Sequence, residues 1–398
     1  MNLLKNLADT EKTPFYLFDL GRLHERIHFL KSRLPENVKL CYAVKANPFI
    51  AHALSTDVAK LEICSPGELE ICRSLNLPWE KFVISGVYKD RELMTALICQ
   101  NQSPGLFTAE SVSQLTLLAE AAAAAKKKIS VLLRLTSGGQ FGMDGMHIEN
   151  IVANRQKYPW ISFEGIQYFS GTQKTSLKKM QRELNEADAF LEKLEKNCGF
   201  TAGVLEFGPG FPAAYFEGDS FDEDSYLNSF SEMLQAMKYQ GPVTLELGRS
   251  IAAACGTYVT QIVDTKTNKG ENYAIVDGGI HQLVYYGQSM AMKQPKMQFI
   301  KTSPSDQAVN HLPKQLWNIC GSLCTINDIL VKQLPLAQPC PGDLLVFENA
   351  GAYCMTEGIA LFLSRDLPKI ILLDEQQTPV VVREHTEINA LNTPNIRR

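Results

Sequence analysis

The sequence predicts an α/β fold: a (β/α)8 TIM-like barrel joined to a second, β-rich domain. Three observations lead there. Between residues 24 and 256, short apolar runs of strand type alternate with amphipathic helical runs, and about eight such units are what a closed parallel barrel needs. After Gly256 the pattern changes to short strands at closer spacing, separated by turns. The 398 residues, 45% hydrophobic and 21% charged, are enough for two domains of ordinary globular composition.

Phe15-Tyr16-Leu17-Phe18-Asp19 reads as a short buried strand, and Leu20 to Arg33 as a helix with apolar residues at Leu23, Ile27 and Leu30. Strand-like runs follow at Val38–Cys41, Lys60–Ile63, Phe82–Ile84, Ile129–Leu135, Phe163–Tyr168, Val204–Phe207 and Val243–Leu247. Ser111–Ala125 and Leu177–Lys196 are examples of the helical runs between them. The Ala-rich end of the first, followed by Lys126-Lys127-Lys128, is a helix with cations at its C-terminus. In the second domain the expected strands are Tyr258–Asp264, Tyr273–Val276, Leu344–Phe347, Lys369–Leu373 and Val380–Arg383, with turns at Asp277-Gly278-Gly279 and Pro341-Gly342-Asp343. The tail, Asn389 to Arg398, is polar and aperiodic and is expected to be disordered.

Composition narrows the function. The net charge is −4 and no basic cluster stands out, which argues against nucleic acid as a partner. No apolar run approaches the ~20 residues of a membrane span. Met1-Asn2-Leu3-Leu4-Lys5 lacks the apolar core of a signal peptide, so a cytoplasmic protein is expected. Ten cysteines without a Cys-x-x-Cys pair predict free thiols, mostly buried, and no metal site.

Chemistry gathers where strands end. In Tyr42-Ala43-Val44-Lys45-Ala46-Asn47-Pro48 the Asn-Pro turn places Lys45 at the end of a buried strand. An amine so placed is a nucleophile able to condense with an aldehyde; a surface lysine closing an edge strand is the alternative. Leu205-Glu206-Phe207-Gly208-Pro209-Gly210-Phe211 runs a strand into a glycine-containing loop, which is either a plain turn or a cradle whose amides close on a phosphate. Val243-Thr244-Leu245-Glu246-Leu247-Gly248-Arg249 is another strand end, and on its own it fits a Glu–Arg salt bridge at a barrel rim.

Together these motifs resemble, in order and from about Thr13 to about Leu372, those of the fold-type III pyridoxal-phosphate decarboxylases, the family of diaminopimelate and ornithine decarboxylases. The resemblance implies pyridoxal 5'-phosphate as cofactor, bound through Lys45. It implies that Glu246 faces the pyridine nitrogen and keeps it protonated, and that Gly208, Gly210, Gly248 and Arg249 hold the phosphate. Gly165-Ile166-Gln167-Tyr168-Phe169-Ser170-Gly171-Thr172-Gln173 is similar to the strand whose histidine stacks on the cofactor. Phe169 stands at that place, able to stack but not to carry a proton, and Thr172 adds a hydroxyl near the phosphate. Gly321-Ser322-Leu323-Cys324-Thr325-Ile326-Asn327-Asp328 resembles the motif whose cysteine donates a proton to the α-carbon, though a buried structural thiol is the other reading of Cys324. Gly351-Ala352-Tyr353 matches the motif whose tyrosine reaches the phosphate. The resemblance further implies that residues 1–23 join residues 257–398 in the second domain, and that the protein is a homodimer with shared active sites.

Three departures bear on substrate. Thr325 replaces the acid that recognises a distal ammonium, and His281-Gln282-Leu283-Val284-Tyr285-Tyr286 lacks the Arg-Pro pair that grips a distal carboxylate. The family's Ser-x-Tyr-Asn ending is replaced by Thr356 to Ser364. These look like a subgroup serving specialised biosynthesis, which includes the glutamyl-[acyl-carrier protein] decarboxylase. The expected function is α-decarboxylation of an amino acid with a neutral or carrier-tethered distal end, with Thr325 and His281 facing substrate. Diaminopimelate decarboxylase, an alanine-racemase-like enzyme and a non-catalytic regulator of the same fold stand as alternatives.

Overall fold

The computed structural model describes residues 2–100, 103–289, 291–302 and 313–395. Two compact units emerge, one of residues 24–212 and 221–251, the other of residues 1–23, 213–220 and 252–398.

The first unit is the barrel. Strands β2 (Val38–Ala43), β3 (Lys60–Ile63), β4 (Phe82–Ile84), β5 (Leu106–Ala109), β6 (Ile129–Leu135), β7 (Ile161–Phe169), β8 (Val204–Gly208) and β9 (Val243–Leu247) are all parallel, and β9 pairs with β2 to close the ring. Its strands are largely apolar, and Cys41, Val83, Leu106 and Leu132 form one buried cluster among them, beside buried polar residues such as Glu62, Gln167, Glu206 and Glu246. Besides α2 (Leu20–Arg33), α3 (Ala51–Leu54) and α7 (Gly145–Ala153), the helices around the barrel include five that start where the chain offers a cap. Ser65 begins α4 (Pro66–Ser74), Asp90 begins α5 (Arg91–Cys99) and Ser111 begins α6 (Val112–Ala125). Ser176 begins α8 (Leu177–Cys198) and Asp222 begins α9 (Glu223–Gln235), each side chain accepting a backbone N–H of the first turn. Strand β5 did not stand out in the sequence, because only two large apolar residues mark it.

The second unit is a nine-stranded mixed sheet. It contains β1 (Phe15–Asp19), β10 (Gly256–Asn268), β11 (Glu271–Val276), β12 (Met297–Ile300), β13 (Gln315–Cys320), β14 (Ile329–Leu336), β15 (Leu344–Phe347), β16 (Lys369–Leu373) and β17 (Pro379–Arg383). Strand β1 runs antiparallel to β10 and parallel to β16. Phe15 and Leu17 pack there with Val259, Leu344, Val346, Ile371 and Leu373, and α1 (Asn2–Glu11) adds Leu7.

Several expectations are corrected. Residues 213–220 leave the barrel unit because Ala214 O accepts from Asn349, Tyr215 O accepts from Lys296 N, and Glu217 N donates to Gln294 O. Four of the ten cysteines are buried rather than most of them; all ten are free. The tail is not wholly irregular: Asn389–Asn392 form a 3-10 turn, and Asn392 donates to Leu361 O and Ser364 Oγ. Residues 396–398 lie outside the described residues.

Candidate active site

The barrel's C-terminal end gathers the reactive side chains. Strand β2 stops at Ala43, and Lys45 sits one step further, in a single 3-10 turn (Val44–Ala46). The Asn-Pro step closes that turn: Tyr42 OH donates to Asn47 O (2.9 Å), and Asn47 Oδ1 accepts from Phe49 N (3.0 Å). Lys45 Nζ then lies 2.6 Å from Glu62 Oε2, 3.3 Å from Glu246 Oε1 and 3.6 Å from Cys64 Sγ. The lysine side chain is 37% exposed while the two carboxylates are 3% and 7% exposed, so the amine forms the open face of a buried acidic pair.

Two carboxylates this close cannot both ionise cheaply. Burial, and then the charge of Glu62, push the Glu246 carboxyl well above the ordinary range, against the pull of Lys45. Burial works to raise Glu62 too, but it is outweighed by the Lys45 charge and by hydrogen bonds from Glu246, Lys45 and Ser85, which hold Glu62 down. The amine therefore sits between two buried carboxyls pushed in opposite directions, Glu62 down and Glu246 up. A third glutamate, Glu206, is fully buried; burial first, and then Glu62, push it up to about 7, although Gln167 Nε2 donates to it at 2.6 Å.

Phe169 ends β7, in register with Gly208 at the end of β8. A Cβ on Gly208 would lie 2.2 Å from Phe169 Cδ2, so the ring requires glycine there. The Arg134 guanidinium is 6.0 Å from the centroid of Phe169 and 4.9 Å from that of Phe141, and it is fixed by Glu110 Oε1 at 2.9 Å. In the loop beyond β8, Gly210 takes φ +62, and a Cβ there would lie 2.0 Å from Gly171 O. Two loops thus meet backbone to backbone. Thr172 belongs to the same meeting point, since its Oγ1 accepts from Arg249 Nε at 3.2 Å, and Gly248 and Arg249 follow directly on β9.

This arrangement fits pyridoxal 5'-phosphate: a lysine amine beside two buried carboxyls, an aromatic ring, and an arginine near a loop in which Gly208 and Gly210 leave the backbone open to an anion. The chain matches the family described as pyridoxal-dependent decarboxylase, C-terminal sheet domain, over residues 15–351. The chain belongs to the pyridoxal-dependent decarboxylases. It is a pyridoxal-phosphate-dependent lyase.

Among its relatives is the L-glutamyl-[BtrI acyl-carrier protein] decarboxylase of Niallia circulans, 27% identical, with 94% of this chain and 92% of that protein covered. The 2-[(L-alanin-3-ylcarbamoyl)methyl]-2-hydroxybutanedioate decarboxylase of Staphylococcus aureus is 26% identical, over 92% and 96%. The diaminopimelate decarboxylase of Aquifex aeolicus is 25% identical, over 88% and 84%. In fold the chain is similar to the diaminopimelate decarboxylase of M. jannaschii crystallised with L-lysine, with a TM-score of 0.83, 19% identity and coverage of 99% and 94%.

The remaining decarboxylase residues named from the sequence lie in the second unit. Cys324 is exposed, not a buried structural thiol. Its loop is organised by Asp328, whose carboxylate accepts from Ile280 N (2.8 Å) and Leu323 N (2.7 Å) and fills the space beside Gly279 and Gly321. Thr325 Oγ1 accepts from Asn327 N at 3.4 Å. Tyr353 stands at φ +65 directly after Gly351-Ala352. His281 is 2% exposed, neither ring nitrogen has a hydrogen-bond partner among the described residues, and burial lowers its pKa to about 4. Among the described residues no group of three or more His, Cys, Asp or Glu is arranged to hold a metal, and no helix is long and apolar enough to cross a membrane.

Proposed function

We propose that this decarboxylase removes the α-carboxyl group of an amino acid whose distal end is neutral or tethered to a carrier protein. The observation that carries the site is Lys45 Nζ standing 2.6 Å from Glu62 and 3.3 Å from Glu246 at the mouth of the barrel. When bound, pyridoxal phosphate supplies the electron sink for the bond to the departing carboxyl group. Lys45 is the residue that holds its aldehyde carbon. Glu62 holds the resting amine in place through a 2.6 Å contact. Glu246, whose carboxyl is pushed up by burial and by Glu62, would face the ring nitrogen and share a proton with it. Phe169 would offer the ring an aromatic face, and having no titratable proton it would add no acid of its own. Thr172, Gly208, Gly210, Gly248 and Arg249 receive the phosphate, with one donor fewer than a glycine at 209 would give, because Pro209 has no N–H.

The second half of the reading needs a second subunit. Residues 1–23, 213–220 and 252–398 form the β-rich domain of a homodimer, and Cys324, exposed in the single chain, returns a proton to the α-carbon in the neighbouring subunit's site. Tyr353 would reach the cofactor phosphate. Ten free thiols suit the reducing cytoplasm.

For the substrate, Thr325 is decisive. A free distal ammonium would meet a neutral hydroxyl there, and partial desolvation of an unpaired charge costs several kcal/mol. A thioester or amide at the far end avoids that cost. Two relatives carry names consistent with this: one acts on a glutamyl group on an acyl-carrier protein, the other on an alaninyl group joined through a carbamoyl. The test is kcat/KM for carbon dioxide release from meso-diaminopimelate and from glutamate amidated at its side chain. The masked glutamate is expected to be preferred, and Thr325→Glu should shift preference toward a cationic side chain. A wild-type preference for meso-diaminopimelate overturns this substrate class and favours lysine biosynthesis.

A further inference from the structure

A buried ion pair lies behind the glycine loop, outside every motif discussed above. Lys174 follows the Gly171-Thr172 segment, and its side chain is 4% exposed. Its Nζ lies 2.7 Å from Glu183 Oε2 on α8, 2.8 Å from Ser170 Oγ and 3.5 Å from Gly208 O, so each of the three ammonium protons has an acceptor. The Glu183 side chain is 3% exposed. Burial lowers the Lys174 pKa, and the hydrogen bond and charge of Glu183 oppose that shift. The backbone is engaged as well. Lys174 N donates to Gly210 O (3.0 Å), and Tyr226 OH donates to Lys174 O (3.0 Å).

Lys174 therefore ties three pieces of chain together: the segment after β7, the loop after β8, and α8. The tie has a direction. In a trans peptide the N–H points opposite to the C=O. With Gly210 O drawn onto Lys174 N, the N–H of Phe211 is aimed away from Lys174. That orientation matters more in this chain because Pro209 cannot donate. A buried ion pair is poor evidence of stability, since apolar residues of similar volume often do as well. The pair is better explained by placement.

We propose that Lys174, held by Glu183 and Ser170, is a positioning residue that sets the loop after β8 to receive the cofactor phosphate. The inference rests on assigning the Gly208–Gly210 loop and Arg249 to that phosphate. It predicts a defect specific to the phosphate, because the aldehyde and the ring nitrogen are held elsewhere, at Lys45 and Glu246.

The experiment measures the binding of pyridoxal 5'-phosphate and of pyridoxal, which lacks the phosphate, to cofactor-free protein by absorbance titration. Lys174→Met is expected to weaken the phosphate form roughly tenfold or more, the size of one misplaced charge-assisted hydrogen bond, and to leave pyridoxal unchanged. Lys174→Arg should restore part of the loss. If Lys174→Met does not fold, the paired variant Lys174→Met/Glu183→Leu removes both charges, and it should melt near the wild type yet show the same selective loss. Equal weakening of both ligands, or of neither, overturns the inference. Arg249→Met separates it from its premise. If Arg249→Met loses phosphate selectively and the Lys174 variants do not, only the positioning role falls. If Arg249→Met also fails to discriminate, the phosphate assignment itself falls.

Discussion

Three glutamates share the barrel lumen and differ in charge because they differ in neighbours. Glu62 has Lys45 at 2.6 Å and stays ionised; Glu246 sits beside that charge and is pushed up. Glu206 has the neutral amide of Gln167 as partner. Its pKa rises from 4.5 to about 7, so between those values the folded protein binds more protons than the unfolded chain. Stability is highest at the acid side of this window and falls as pH rises through it. Glu246 acts in the same direction and Glu62 in the opposite one, losing its contribution below the ordinary carboxylate range. The cofactor-free protein should therefore have a lower Tm at pH 8 than at pH 5. Glu206→Gln, which can still accept from Gln167, should narrow that difference; an unchanged difference would show that Glu206 does not titrate there. Lys45 and Glu246 were legible because each ends a strand inside a recognisable motif. Glu62 and Glu206 were not singled out. Their roles come from strand register, which sets Glu62 opposite Ala43 and Glu206 opposite Gln167, and no local pattern reports that.

Among the elements, the turns after β7 and β8 carry the most constraint. Gly199 and Gly210 both have positive φ, +56 and +62, but a Cβ on Gly199 meets open space while one on Gly210 meets backbone at 2.0 Å. Gly199→Ala should cost about 1–2 kcal/mol for the left-handed backbone and leave cofactor binding intact. Gly210→Ala should cost more and release the cofactor, because the loop must move. Thermal melts and the cofactor content of purified protein check both, and equal behaviour of the two variants would remove the loop from the site. The sequence showed seven of the barrel strands, since long apolar runs with capped helices between them are unambiguous. It missed β5, which is four residues long, and β12, β13 and β14, whose apolar residues are broken by Gln298, Asn318 and Lys332-Gln333. Helix α1 is short and mostly polar, and only its packing of Leu3, Leu4, Leu7 and Ala8 on the sheet marks it as a helix.

At the scale of the whole molecule, the proposed homodimer would divide one active site between two subunits. Lys45→Ala and Cys324→Ala proteins should each be nearly inactive, and mixing them should restore part of the activity, because hybrid dimers contain one site with both residues. Mass spectrometry must show that subunits exchange; exchange without recovery would place Cys324 outside the neighbour's chemistry. All of this depends on the lysine at the barrel mouth. The direct test is borohydride reduction of the cofactor-loaded protein followed by peptide mass mapping. The account predicts one cofactor mass, on the peptide that contains Lys45, and a Lys45→Ala protein with neither that mass nor the visible absorption band. Cofactor fixed on Lys89 or Lys174 instead, or a wild-type protein that takes up no added pyridoxal phosphate, would contradict it.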